Sequence, residues 1–307
     1  MVMKKEHIMN EYQNAIASYE EFDADKCRRF AADIRINTIR QMATFGAGHI
    51  GGSASIADAM AVLYGGLMRI NPAEPRWDGR DYLVMSKGHC GPALYSALAL
   101  KGFFPMEWLG TLNKIGTNLP SHCDRNHTPG IDASTGSLGQ GISLAVGFAQ
   151  AAKMKKNPRM VYTIVGDGEI QEGQVWEAAE FAATRNLNNL VVLVDENGAQ
   201  LDGYTDDICK SLDIRAKFES FGFNAVNVKG DDVNEVAKVL YGIRDAQDKG
   251  DKPYAVILKT KKGAGVLFAE RKFPNHHLNV NVQDAEEAIA EVERRLNAGL
   301  LPGGEAR

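Results

Sequence analysis

Residues 161–197 read VYTIVGDGEIQEGQVWEAAEFAATRNLNNLVVLVDEN. An apolar run, VYTIV, ends in Gly166-Asp167-Gly168; a stretch of helical spacing follows, and a second apolar run, LVVLVD, leads to Asn197. Short apolar runs flanking a helical segment are the pattern of a buried parallel strand, its crossover helix and the next strand. Open α/β sheets bind ligands at the carboxyl ends of their strands, which is where Asp167 and Asn197 fall. A hard cation such as Mg2+, or Ca2+ or Mn2+, takes oxygen donors and often shares its shell with phosphate oxygens. The Asp167 carboxylate, the Asn197 amide oxygen and the Ala199 carbonyl form a candidate donor set. Gly166 and Gly168 remove side chains where backbone would approach a diphosphate, and the helical pattern after them is expected to point free amides at the anion. A lone GDG is ordinary strand-to-turn punctuation. The Asn one βαβ step later and the Glu172-Gly173 pair give it chemical content.

Outward from this unit the same alternation continues. Residues 24–45 carry Phe30, Ile34, Ile39 and Met42 at helical spacing and stop at Gly46 and Gly48; 55–67 and 92–100 also read as helices. Strands are expected at DYLVMS (81–86), NAVNV (224–228) and YAVILKT (254–260). A second glycine-rich turn, TGSLGQG (135–141), opens a helix packed through small residues, and the chain closes on an amphipathic helix ended by Gly299. The fold class is therefore α/β, a mostly parallel sheet with helices on both faces. The expected division is a polar extension over 1–23, one α/β domain over 24–280, and a carboxy-terminal helix and tail over 281–307. The polar connection between Gly102 and Gly136 is longer than most, and such loops are usually functional or mobile.

The chain has 307 residues, 44% hydrophobic and 24% charged, with 35 basic and 39 acidic side chains interspersed. That composition is globular and favours neither nucleic acid nor membrane as partner. The amino terminus is polar where a secretory signal would be apolar, and no apolar run reaches the ~18 residues of a membrane span. Cys27, Cys90, Cys123 and Cys209 are far apart and form no CxxC, as fits a reducing cytoplasm. His122, Cys123 and His127 invite a zinc reading, but no fourth ligand has the spacing of a structural site.

In chain order, GHIGGS, MSKGH, SHCD, STGSLGQGIS, GDGEIQEG, VDEN and a late His resemble the amino-terminal, diphosphate-binding half of transketolase, from about residue 28 to about 277. The resemblance implies the thiamine diphosphate-binding fold, with thiamine diphosphate and a divalent metal as cofactors and sugars as substrates. It makes Asp167, Asn197 and the Ala199 carbonyl the metal ligands. Gly166 belongs to the same cofactor-binding block. Gly168 and Glu172 match positions at the diphosphate and the subunit contact, and Gly136 and Leu138 match residues on the cofactor rings. His49, His89, His122 and His276 match histidines that line the cofactor and the sugar hydroxyls, His89 and His276 among the cofactor contacts. Histidine titrates near neutrality and can serve as acid and base in one cycle, which suits transfer of a ketol unit while the cofactor supplies the electron sink.

The departures from the family cluster on the sugar side. Ile50 replaces a usual Pro, Ser121 and Cys123 flank His122 in place of Gly and Pro, and His277 stands where Gly is usual, which leaves the choice between His276 and His277 open. They suggest retained cofactor chemistry with a different accepted sugar, for example in its terminal charged group. A complete transketolase has a second, pyrimidine-binding domain, for which nothing after residue 277 leaves room. The resemblance thus implies the amino-terminal subunit of a split transketolase, two copies joining two carboxy-terminal subunits in an α2β2 assembly with the cofactor at the interface, where Glu172 and Glu177 could face. The alternatives are the alpha subunit of a 2-keto acid dehydrogenase and a non-catalytic cofactor-binding homologue.

Overall fold

The computed structural model describes residues 21–300 and Pro302. Most of the expected amino-terminal extension and the end of the tail lie outside the described residues.

Asp23 caps α1 (Ala24–Phe45) by accepting the amides of Asp25 and Lys26, both at 3.1 Å. Gly46 ends the helix in the left-handed region at φ 97°. Phe30, Ile34, Ile39 and Met42 are all buried, as their spacing requires. β1 (Ala47–Gly48) leads into α2 (Ile50–Ser55) and α3 (Ala57–Val62), which continues into a π-helical turn at Leu63–Leu67. The single helix expected over 55–67 thus begins earlier and breaks at Ile56. Next come β2 (Tyr82–Met85), α4 (Gly91–Leu100), α5 (Gln140–Met154), β3 (Val161–Gly166), α6 (Gly173–Thr184) and β4 (Leu190–Glu196). After α7 (Thr205–Ile208) and α8 (Ile214–Ser220), the chain runs through β5 (Asn224–Lys229), α9 (Val233–Ala246), β6 (Tyr254–Lys259), α10 (Leu267–Arg271), β7 (Leu278–Asn279) and α11 (Val282–Asn297).

Five strands form one parallel sheet in the order β2-β3-β4-β6-β5. Its inner strands bury both faces. Val191 and Leu193 of β4 join a core with α1, α3 and α4, whereas Leu190, Val192 and Val194 join a second core with α5 and α6. Each such side chain removed from water contributes roughly 1.5–3 kcal/mol, so the sheet is a rigid base for whatever its ends carry. The long connection after α4 is held down rather than loose. Leu109, Leu119 and Ile131 are buried, and Asp132 receives the Arg80 guanidinium at 2.9 Å and the Leu83 amide at 3.0 Å. α11 packs into the first core through Ala285, Ala288 and Val292, and Arg29 reaches Glu293 at 2.7 Å. β1 and β7 form a separate two-residue antiparallel ladder.

Candidate functional site

The carboxyl edge of the sheet gathers the polar residues. Register sets Gly166 opposite Asp195, so Asp167 and Asn197 leave the ends of two adjacent strands. Asp195, fully buried, is the hub between them. It accepts Lys87 Nζ at 2.6 Å, Ser55 Oγ at 2.7 Å, Thr260 Oγ1 at 2.6 Å and Asn197 Nδ2 at 2.5 Å. Burial raises its carboxyl, but Lys87 and these donors outweigh that and hold it below the ordinary range. Lys87 loses solvation by burial, yet the Asp195 charge keeps its ammonium protonated. The Asn197 Nδ2–Asp195 bond fixes which way the amide faces, and its oxygen accepts the Ala199 amide at 3.1 Å.

Asp167 is placed differently. It is buried, and among the described residues its carboxylate oxygens accept backbone amides, Gly168 at 2.9 Å and Gly198 at 2.7 Å. Burial first, and the Asp195 charge second, push it up to about 7. A buried carboxylate beside another, with no ion pair to a cationic side chain among the described residues, is the environment a bound cation relieves. Asp167, Asn197 and Ala199 line one cavity of about 430 Å3, and a carboxylate, an amide and a carbonyl oxygen suit a hard cation. The Ala199 carbonyl already accepts Lys262 Nζ at 2.9 Å, but a carbonyl oxygen has two lone pairs. The residues present therefore fit a divalent metal against an anionic ligand.

The twelve residues that the sequence assigned to cofactor, metal or sugar line that cavity: His49, His89, His122, Gly136, Leu138, Gly166, Asp167, Gly168, Glu172, Asn197, Ala199 and His276; Glu177 and His277 are not in its lining. The glycine requirement is concrete at Gly168, where an added Cβ would lie 2.8 Å from Gln200 Cβ. Gly139 of the TGSLGQG turn adopts φ +80°, and a Cβ there would meet Glu172 Cβ at 2.9 Å. One expectation needs correction. The helix after GDG does not start there; a short 3-10 turn, Glu169–Gln171, intervenes, and α6 begins only at Gly173. Backbone amides near Asp167 therefore come from turns, and buried Glu169 claims other donors of the two glycine-rich turns. It accepts Ser86 Oγ at 2.5 Å and the amides of Gly139 at 2.9 Å and Gly166 at 3.1 Å.

The histidines cluster on the cavity wall. His49 lies 5.4 Å from His89, 5.6 Å from His122 and 5.2 Å from His276 between ring centroids, and His89 lies 4.7 Å from His276. The His122 carbonyl accepts Tyr95 Oη at 3.2 Å, which holds the long connection at the cavity. Burial, then neighbouring His277, His122 and Lys262, lowers His49 to about 4; burial, then Lys262 and His49, lowers His276 to about 3. His89 and His122 are depressed by burial as well. At neutral pH these four are neutral imidazoles, each offering one N–H and one lone pair. His276 lines the cavity, while His277 is exposed at its rim. The zinc candidates are not brought together: Cys123 Sγ is buried 3.8 Å from the Gly88 carbonyl, and exposed His127 pairs with Asp124 at 2.9 Å.

Sequence reasoning missed Lys262, whose side chain lines the cavity and is lowered to about 8, first by burial and then by Lys87. It also assigned no role to Lys87, Glu169 or Asp195, although each sits inside a quoted block. The available signal was position, since Lys87 and Lys262 both follow strand ends on the ligand edge.

Residues 27–291 match the family model for transketolase, thiamine diphosphate binding domain. The chain belongs to the transketolase family. It is 47% identical over 261 residues to the 6-deoxy-6-sulfo-D-fructose transketolase subunit SqwG of Clostridium sp. (strain MSTE9), covering 85% of this chain and 94% of that one. It is 38% identical over 250 residues to an apulose-4-phosphate transketolase subunit from Phocaeicola vulgatus, covering 81% and 88%. The crystal structure of transketolase from Campylobacter jejuni superposes with a TM-score of 0.80 at 30% identity, covering 92% of this chain but 44% of that one. This transketolase-family chain is thus similar along its length to proteins named as subunits, and spans less than half of the single-chain enzyme. These relatives do not favour the 2-keto acid dehydrogenase reading. Among the described residues, no helix is long and apolar enough to cross a membrane.

Proposed function

We propose that the chain is the amino-terminal subunit of a two-subunit transketolase, which moves a two-carbon ketol unit from a ketose to an aldose with thiamine diphosphate and Mg2+. The observation that carries this is the convergence of Asp167, Asn197 and four histidines on one cavity. Asp167, Asn197 and the Ala199 carbonyl would hold the ion, with Gly166 and Gly168 giving backbone access to the diphosphate. Lys87 acts behind them by fixing Asp195 and, through it, the Asn197 amide. Thiamine diphosphate, when bound, supplies the electron sink for breaking and making the carbon–carbon bond. The neutral imidazole nitrogens of His49 and His276 accept and return hydroxyl protons, while His89 and His122 donate hydrogen bonds that orient cofactor and sugar. Their depressed basicity keeps those lone pairs free at neutral pH.

A carboxy-terminal subunit carrying the pyrimidine-binding domain, in an α2β2 complex, completes the site. Leu138 and Glu172 are exposed while lining the cavity, which supports an open side that a partner covers. A cytoplasmic location, and a cofactor domain over 24–280 with a carboxy-terminal helix and tail over 281–307, belong to the same proposal. The donor is a ketose with a terminal oxyanion, sulfonate or phosphate. The sulfosugar relative and the sugar-side departures support that choice. Co-expression with the product of an adjacent reading frame, followed by a ketol-transfer assay, tests the proposal. Transfer that requires both subunits, thiamine diphosphate and Mg2+ is expected; transfer by the lone chain, or none by a cofactor-loaded complex, would overturn it.

A further inference from the structure

The ladder between β1 and β7 pairs Ala47 with Asn279 and Gly48 with Leu278. Continued by one residue, the same register sets His49 opposite His277. Their rings do meet, with centroids 4.7 Å apart and planes at 83°. Directly opposed residues on neighbouring strands are close enough to act as one unit. His49 lines the cavity, and exposed His277 packs against its ring.

The segment bearing His277 is anchored on both sides. Buried Asn275 donates Nδ2 to the carbonyls of Lys262 and Ala269, both at 2.9 Å, and the Val280 amide donates to Gly46 at 2.9 Å. His277 is therefore a positioned side chain beside the histidines that line the cavity. Held geometry of this kind is what a recognition contact requires.

We propose that His277 is a specificity-determining residue for the donor ketose: its imidazole N–H donates to an oxygen beyond the transferred two-carbon unit, either a chain hydroxyl or the terminal oxyanion. This inference rests on the transferase reading above. The test uses the two-subunit complex with His277→Gly and His277→Gln, assayed with fructose 6-phosphate, 6-deoxy-6-sulfofructose and unphosphorylated fructose. His277→Gly is expected to raise the ketose KM by about three- to tenfold, the scale of one hydrogen bond. Its kcat should change less than about twofold on that scale. Thiamine diphosphate affinity and melting temperature should hold, and His277→Gln, which keeps an N–H donor, should recover most of the loss. An effect confined to the two anionic sugars identifies the oxyanion as the partner; an equal effect on all three identifies a hydroxyl. A variant indistinguishable from wild type, or a uniform fall in kcat with KM unchanged, would overturn the assignment, the latter showing that His277 acts only by holding His49. Failure of the wild-type complex to transfer at all would instead sink the transferase reading.

Discussion

Replacing Lys87 with Met keeps the stem and removes the ammonium from beneath the cavity. Lys87 and Asp195 have side-chain exposures of 2% and 0%, with N and O 2.6 Å apart. Two unit charges about 4 Å apart at an effective dielectric of about 20 interact by about 4 kcal/mol, and breaking a buried pair from one side costs about 3–5 kcal/mol. Asp195 keeps three other donors, Ser55, Thr260 and Asn197, so the expected loss lies at the lower end, about 3 kcal/mol. The Gly52 carbonyl also loses the Lys87 donor that reached it at 3.1 Å. Adding Asp195→Asn removes the stranded charge, and the double variant should lie within about 1–2 kcal/mol of wild type, because neutralising both partners of a buried pair is often close to neutral. Urea unfolding followed by circular dichroism reads this directly, provided that the slopes of the transitions match. A Lys87→Met loss below about 1 kcal/mol, the scale of a surface pair, or a double variant less stable than the single one, would refute the reasoning.

Glu169→Ala leaves the Ser86 hydroxyl and the Gly139 and Gly166 amides without their acceptor, and should cost at least about 2 kcal/mol, since each stranded buried donor costs about 1–3; an unchanged unfolding midpoint would argue against that buttress. Gly168→Ala places a methyl 2.8 Å from Gln200 Cβ and should weaken thiamine diphosphate binding about tenfold, or about 1.4 kcal/mol, as read by calorimetry on the two-subunit complex. The cofactor-free chain should lose stability as pH falls below about 6.5. There His49 and His276 take up two protons when unfolded but resist them when folded until about 4 and 3, against the one proton that folded Asp167, raised to about 7, takes up before the unfolded chain does, so on balance the folded state binds fewer protons and acid favours unfolding. Melting temperatures recorded from pH 7.5 to 5 check this, and a flat profile would contradict the burial assigned to those rings.

The five strands were legible because each is a short apolar run with turn residues at its end, and the inner ones need no alternation when both faces are buried. Their spatial order was not. β6 inserts between β4 and β5, and nothing in YAVILK or NAVNVK states which is the neighbour of LVVLVDE. The ladder of β1 and β7 was invisible for a different reason, since two residues carry no period and its halves lie more than two hundred positions apart. Asp167, Asn197 and their flanking glycines were legible from chemistry, as oxygen donors at strand ends and, at Gly168, a place where a Cβ would collide, whereas the histidines, Gly136, Leu138 and Glu172 were legible only through the family resemblance of short blocks. Lys262 escaped because a lysine in KTKKGAG looks like any surface cation until the fold buries it against Ala199 and Gln200. The single helix expected over 55–67 missed the break at Ile56, where the sequence SASIADAM carries no Pro or Gly to signal a change in axis.

In the proposed function Asp167 and Asn197 would hold a divalent metal and, with it, the cofactor's diphosphate at the ends of two neighbouring strands. Calorimetric titration of thiamine diphosphate into the two-subunit complex, with Mg2+ and then with excess chelator, for wild type and Asp167→Ala, tests it most directly. Saturable binding is expected that is lost on chelation and at least about a hundredfold weaker in the variant, or about 2.7 kcal/mol. Equal affinity with and without metal, or in Asp167→Ala and wild type, would contradict it.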